Sequence, residues 1–245
     1  MFRSRLSPII SGLILLALAA CDTPSQVVVV GPPQDVPEAV ALQVQEGPLV
    51  PQTRESFRQI VRQMEPVVER ECRRRSPELN CDFSIRVFED PRFPPNAFQT
   101  LDEDGRPVLG FTVALIADVR NADELAFVLG HEAAHHIAGH IGRQEANANL
   151  GAAVFGALQE QIGGDSRSVQ RAQSLGAAVG ARSFSKEFEL EADELGTILT
   201  ALAGYDPILG AAYFARIPDP GNRFLGTHPP NAQRIAVVRA TAARL

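Results

Sequence analysis

Four of the five histidines in this 245-residue chain fall inside one ten-residue window, His131 to His140. The first five residues of that window, His131-Glu132-Ala133-Ala134-His135, have the spacing H-E-x-x-H, which restricts the local structure more than any other feature of the chain. On a helix, positions i and i+4 lie about 40° apart around the axis, so His131 and His135 leave one face a turn apart and can grip a single ion. Glu132 points beside them, where a carboxylate can take a proton from a water bound to that ion. The chain is therefore expected to form a helix here, with one face buried and the histidines turned into a cleft.

The flanking residues agree. Asn121 stands where an N-cap is needed, with Glu124 three residues on as its reciprocal partner. Leu125, Val128, Leu129 and Ala133 recur at helical spacing. Catalytic zinc usually takes three protein ligands and keeps a fourth position for water, so a third ligand has to come from elsewhere. The pattern H-E-x-x-H-x-x-G-x-x-H is not met, because Gly139 falls one residue late and His140 one residue early. On a continuous helix His136 and His140 are rotated about 100° and about 140° from His135, off the metal-binding face, and are expected to be structural or solvent-facing. Downstream, Ser185 to Gly196 has helical composition and places Glu189 and Asp193 on one face. Glu189 can serve as the third ligand, and Asp193 can accept the free ring N–H of a ligand histidine. Taken alone, these acids also fit a solvated helix face.

Three ordered motifs carry a family resemblance. After H-E-x-x-H, the residues Ser185, Glu189, Ala192, Asp193 and Gly196 fit S-R-x-x-E-x-x-A-D-x-x-G, and His228-Pro229 with Arg234 fit H-P-x-x-x-x-R. Over residues 55–240 the chain resembles the M48 zinc metallopeptidases, and Asn96-Ala97-Phe98 looks like that family's N-A-F beside the substrate cleft. Lys186 departs from the pattern, keeping the charge of the usual arginine without its planar fork. The resemblance implies one Zn2+ per chain on His131, His135 and Glu189, a general base at Glu132, and Asp193 and Arg234 behind the ligands. For His228 it leaves three roles open: catalytic stabiliser of the oxyanion, fourth ligand that keeps the enzyme latent, or turn residue before Pro229 and Pro230.

The start of the chain addresses location. Arg3 and Arg5 precede the apolar run Ile9 to Ala20, too short to span a bilayer and suited to a secretory signal. It ends in Leu18-Ala19-Ala20-Cys21, which looks like a bacterial lipobox, so residues 1–20 are read as a lipoprotein signal peptide and Cys21 as the lipidation site. Asp22 leaves the choice between inner and outer membrane open. Residues 21–52, with six prolines and no sustained period, read as a lipidated N-terminus and tether, and residues 53–245 as the peptidase domain. With Cys21 assigned to lipid, Cys72 and Cys81 remain as an even pair in a compartment that permits disulfides, and a bridge between them is expected.

Within residues 53–245, Phe57, Ile60, Val61, Met64, Val67 and Val68 follow helical spacing, and Phe83–Phe88 and Val108–Ile116 are strand-like, with a turn at Asp102 to Gly105. Helices alone follow. This segregation predicts an α+β fold, mostly helical with a small sheet, and the resemblance implies a zincin-like metallopeptidase domain whose sheet borders the active-site cleft. The Ala- and Gly-rich stretch 146–182 is expected to form a helical flap over the cleft. Removing the signal takes away two arginines and no acid, moving the formal charge from −6 to −8 and arguing against nucleic acid as a partner. The expected function is a zinc-dependent endopeptidase of the bacterial cell envelope, lipid-anchored and facing the periplasm, for which the resemblance implies envelope proteins as substrates and a part in protein quality control. The rival is a proteolytically silent zinc-containing chaperone or binding lipoprotein.

Overall fold

A computed structural model describes residues 49–223 and 226–245. The signal segment, the lipobox at Cys21 and most of the tether lie outside the described residues.

Helix α1 (Arg54–Arg75) starts at a capping box, in which the Thr53 side chain accepts from the Ser56 N–H and the Ser56 hydroxyl accepts from the Thr53 N–H. Its apolar stripe, Phe57, Ile60, Met64, Val67 and Val68, is buried. Arg73, Arg74 and Arg75 fill the last turn, where the carbonyl ends favour cations, and the buried Glu71 accepts from Arg74 and Arg75. A disulfide joins Cys72 to Cys81 with a Cα separation of 5.7 Å, as the cysteine count implied. Two further bonds fix this corner to the helix that carries the histidines: the Ser76 hydroxyl donates to the Ile137 carbonyl at 2.7 Å, and His136 Nε2 lies 2.8 Å from the Asn80 carbonyl. His136 is thus structural, as its helical angle suggested.

Three strands follow, β1 (Ser84–Phe88), β2 (Ala97–Leu101) and β3 (Pro107–Thr112), in the order β1-β3-β2. β1 runs parallel to β3, and β2 antiparallel to it through the turn at Asp102 to Gly105. β3 is buried along its whole length, whereas β2, among the described residues, has one paired side and forms an edge. Two details differ from the sequence reading. β2 is a strand of its own, opened by the Asn96-Ala97-Phe98 residues. The apolar run 108–116 is not one strand: it ends at Thr112, whose hydroxyl caps helix α2 (Val113–Asp118) by accepting from the Leu115 N–H at 3.2 Å. Short apolar runs fit a strand and a buried helix equally well, and a single hydroxyl decides here.

Helix α3 (Ala122–Ile137) is buried almost all round and packs on α1, the sheet and helix α6 (Ser185–Leu202). Asn121 caps it by accepting from the Glu124 N–H at 2.9 Å. Glu124 does not complete the capping box. Its carboxylate accepts from the Arg120 N–H at 2.7 Å and is forked by Arg216, because a carboxylate only 1% exposed gains more from a guanidinium than from a neutral amide. The main core gathers Phe57, Met64, Phe111, Leu125, Leu129 and Leu199. A smaller cluster of Phe127, Phe214, Ile235 and Val238 seats the last helix, α8 (Asn231–Ala242), after the short helix α7 (Pro207–Gly210) and a 3-10 turn at Ala211–Ala215.

Helices α4 (His140–Gln161) and α5 (Ser166–Arg182) form an antiparallel hairpin that contributes no apolar side chain to either cluster. Gly151 and Gly176 meet backbone to backbone, with no room for a Cβ on either. Among the described residues no helix is long and apolar enough to cross a membrane.

Replacing Cys72 and Cys81 together by alanine is expected to lower the unfolding free energy by roughly 2.5–3 kcal/mol, read as a shift in denaturant midpoint. Gly176→Val is expected to part the hairpin while leaving the main core intact, giving faster tryptic cleavage at Arg167 and Arg171 than in the wild type. Equal cleavage rates would contradict the close approach.

Candidate active site

The site begins with two glycines. A Cβ on Gly196 of α6 would lie 3.0 Å from the His131 backbone, and one on Gly130 of α3 would lie 3.0 Å from the Gly196 carbonyl, so the two helices cross with almost no side chain between them. Asp193 lies one turn before Gly196 and Glu189 two turns before it, and the crossing lays both against His131. The small residues of the Ala192-Asp193-Glu194-Leu195-Gly196 segment thus do for packing what its acids do for chemistry.

At the crossing, His131, His135 and Glu189 converge, with one ligand atom from each lying within 4.8 Å of the others. His131 Nε2 and His135 Nε2 are 3.1 Å apart, His131 Nε2 is 3.6 Å from Glu189 Oε2, and His135 Nε2 is 3.3 Å from Glu189 Oε1. Ligands held at about 2.0–2.1 Å around a tetrahedral ion are about 3.3–3.4 Å from one another. Two imidazole nitrogens and a carboxylate at these separations therefore fit a small divalent metal ion.

Behind the donors, His131 Nδ1 donates to Asp193 Oδ1 at 2.9 Å, so Nε2 is the ring nitrogen turned to the shared centre, where a metal would replace its proton. Asp193, fully buried, is forked by Arg234 of α8 through Nε and Nη2, both at 2.7 Å. The Arg234 guanidinium lies 3.8 Å from the centre of the Phe214 ring and 3.6 Å from Glu189 Oε2. Burial disfavours the charged form of Glu189, but hydrogen bonds from His131, His135 and His228 hold its carboxyl well below the usual range. Burial and Arg234 push His131 down, and the hydrogen bonds to Asp193 and Glu189 outweigh them, raising it to about 9. The pocket is built to hold positive charge.

The site opens into a cleft of about 800 Å³. Glu132, half-buried, lines it next to the ligand histidines. His228, with its side chain 55% exposed, sits on the rim with Nδ1 3.1 Å from Glu189 Oε2. One wall is the edge strand β2 with Asn96, Ala97 and Phe98, and Tyr213 and Phe214 also line the cleft. Residues 146–182 do not: of the α4–α5 hairpin only the start of α4, His140, Ile141 and Gln144, reaches it. The expected flap is instead a hairpin that packs on itself, because its small residues bury each other. Lys186 donates from Nζ to Asn222 Oδ1 at 2.8 Å and to the Arg223 carbonyl at 2.6 Å, single contacts that need no planar fork.

His140 is structural and outside the ligand cluster, as the sequence reading allowed, but its contact with His135 does not follow from the helical angle. It is buried, and its Nδ1 lies 2.8 Å from Nδ1 of His135. The reckoning of about 140° assumed one helix through residue 140, but α3 ends at Ile137 and Gly139 is left-handed, φ 65°. The glycine itself was the available signal.

These features agree with the comparisons to known proteins. The family model described as Peptidase family M48 matches residues 54–242. The mitochondrial metalloendopeptidase OMA1 of Arabidopsis thaliana is 29% identical over 124 residues, which cover 49% of this chain and 24% of that protein. With the match running from the first turn of α1 to the last of α8, the chain belongs to peptidase family M48 and is a metallopeptidase.

Proposed function

We propose that the chain is a zinc-dependent endopeptidase that hydrolyses peptide bonds in proteins of the bacterial cell envelope, as part of protein quality control. The observation that carries this reading is the convergence of His131, His135 and Glu189 at donor separations suited to zinc, in one cleft with Glu132. Two nitrogens and one carboxylate are a donor set that zinc favours. Bound there, the ion supplies Lewis acidity, lowering the pKa of a water and polarising a peptide carbonyl.

The chain's own residues do the rest. Glu132 takes the proton from the attacking water and delivers it to the nitrogen of the departing amine. His228, on the rim, donates to the oxygen on which negative charge develops. Asp193 and Arg234 hold the His131 ring in its donor tautomer and keep the Glu189 carboxylate charged. The unpaired side of β2 offers backbone groups to an extended polypeptide, which would align as an added strand with its carbonyl directed at the site. An edge strand reads backbone, so it suits many sequences, as a quality-control enzyme requires.

Location is part of the same proposal. Cleavage before Cys21 and lipidation of its thiol would hold the domain at the membrane, facing the periplasm, on the tether of residues 21–52. The Cys72–Cys81 disulfide fits an oxidising compartment.

Cleavage of an unfolded test protein by the intact chain tests the mechanism. Glu132→Gln is expected to lower kcat/KM by about 10²–10⁴ while zinc content, measured by mass spectrometry, stays at one per chain. Chelation should abolish cleavage and zinc should restore it; turnover unaffected by either change would sink the assignment. Cys21→Ser, expressed in a bacterial host, is expected to move the protein from the membrane fraction to the soluble periplasm.

A further inference from the structure

We propose that His140 is a positioning residue for the metal ligand His135, accepting its Nδ1–H and so setting the tautomer and ring angle at which His135 Nε2 faces the metal. The inference rests on the metal-site reading above.

Hydrogen counting around the ring supports it. His135 Nε2 faces His131 Nε2 at 3.1 Å and Glu189 Oε1 at 3.3 Å, so it is the nitrogen directed at the shared centre. A ring that donates an electron pair from Nε2 carries its proton on Nδ1. That proton points at His140 Nδ1, 2.8 Å away, which must accept it and therefore keeps its own hydrogen on Nε2. His140 Nε2 is 3.3 Å from Glu191 Oε2, an acceptor, and Arg143 Nη1 donates to the same oxygen at 2.7 Å. With both rings neutral, one arrangement of hydrogens satisfies every link from His135 through His140 and Glu191 to Arg143.

Packing fixes His140 in that pose. Its ring stacks on Phe188, with centroids 4.6 Å apart and planes 12° from parallel, and the Arg143 guanidinium lies 4.4 Å from the centre of the same Phe188 ring. His140 meets His135 edge to face, 4.9 Å between centroids. Phe188 adjoins Glu189 in the chain, so the stack ties the support of one ligand to the backbone of another. Left-handed Gly139 makes this possible by ending α3 and starting α4 with His140 turned back beneath His135. The two histidine ligands are thus supported differently: His131 by the buried Asp193 carboxylate, His135 by a neutral imidazole.

The test measures zinc affinity of the full-length protein by competition with a chromophoric chelator, together with the visible spectrum of the cobalt-substituted form. His140→Phe keeps the stack and removes the acceptor; it is expected to weaken zinc binding about 10–100-fold and to alter the cobalt bands. His140→Gln, which can accept from His135 and donate to Glu191, is expected to recover most of that loss. Glu191→Gln, at a side chain 47% exposed, should give a smaller loss and carries the test if the His140 variants fail to fold. Wild-type affinity and spectrum in both His140→Phe and Glu191→Gln would overturn the proposal, as would equal losses in folded His140→Phe and His140→Gln. A wild-type chain that binds no zinc would instead sink the metal-site reading itself.

Discussion

Backbone contact between α3 and α6 at Gly130 and Gly196 is the constraint on which the site depends. Metal ligands on separate helices must be placed to within a few tenths of an ångström, and a crossing made by side chains adapts too readily to ensure that. Where Cα atoms and carbonyls touch directly, nothing can change rotamer and the separation is set by covalent geometry. A Cβ at Gly196, 3.0 Å from the His131 backbone, would widen the crossing and stretch the 3.6 Å and 3.3 Å separations from Glu189 to the two histidines. The same crossing buries Asp193 completely, and a buried carboxylate needs partners.

Those partners come from the far end of the sequence. Asp193 and Glu189 bring two negative charges into a region where pairing is worth several times its value in water. Arg234 answers with two 2.7 Å bonds to Asp193 and a 3.6 Å approach to Glu189, and Phe214 covers its guanidinium. Among the described residues one guanidinium meets these two carboxylates, an imbalance that suits a site for a cation. His131 shows the same imbalance: burial and Arg234 oppose a proton on its ring, yet the carboxylates hold one up to about 9. A second buried pair, Glu124 with Arg216, ties the start of α3 to the wall of the cleft without touching the metal ligands, so the two ends of α3 are anchored independently.

Local patterns were readable in the sequence wherever the controlling interaction spans a turn or two. Asn121 as a cap, the helical face of His131 and His135, the shared face of Glu189 and Asp193 and the pairing of Cys72 with Cys81 all follow from spacing or from counting. The misses share a different cause. Thr112 ends β3 because its hydroxyl finds the Leu115 N–H, a choice that apolar periodicity does not report. Glu124 prefers Arg216, 92 residues away, to the amide three residues back. The contact of His140 with His135 escapes a helical angle because Gly139 ends the helix between them, and a glycine beyond the last periodic residue signals such an end. The hairpin of α4 and α5 was recognised as helical but laid over the cleft, since composition gives no direction to a helix whose packing face is glycine.

The order of assembly follows from these buried charges. The α3–α6 pair brings the ligands together, but without α8 it contains Asp193 as a charge with no cation beside it, a state several kcal/mol less stable than the paired one. Seating Phe214, Ile235 and Val238 against Phe127 docks α8 and delivers Arg234 in the same step. A metal held by His131 would by linkage favour the seated C-terminal helix. The Asp193–Arg234 fork is the physical link between the last helix, Asn231–Ala242, and the ligand cluster on α3 and α6.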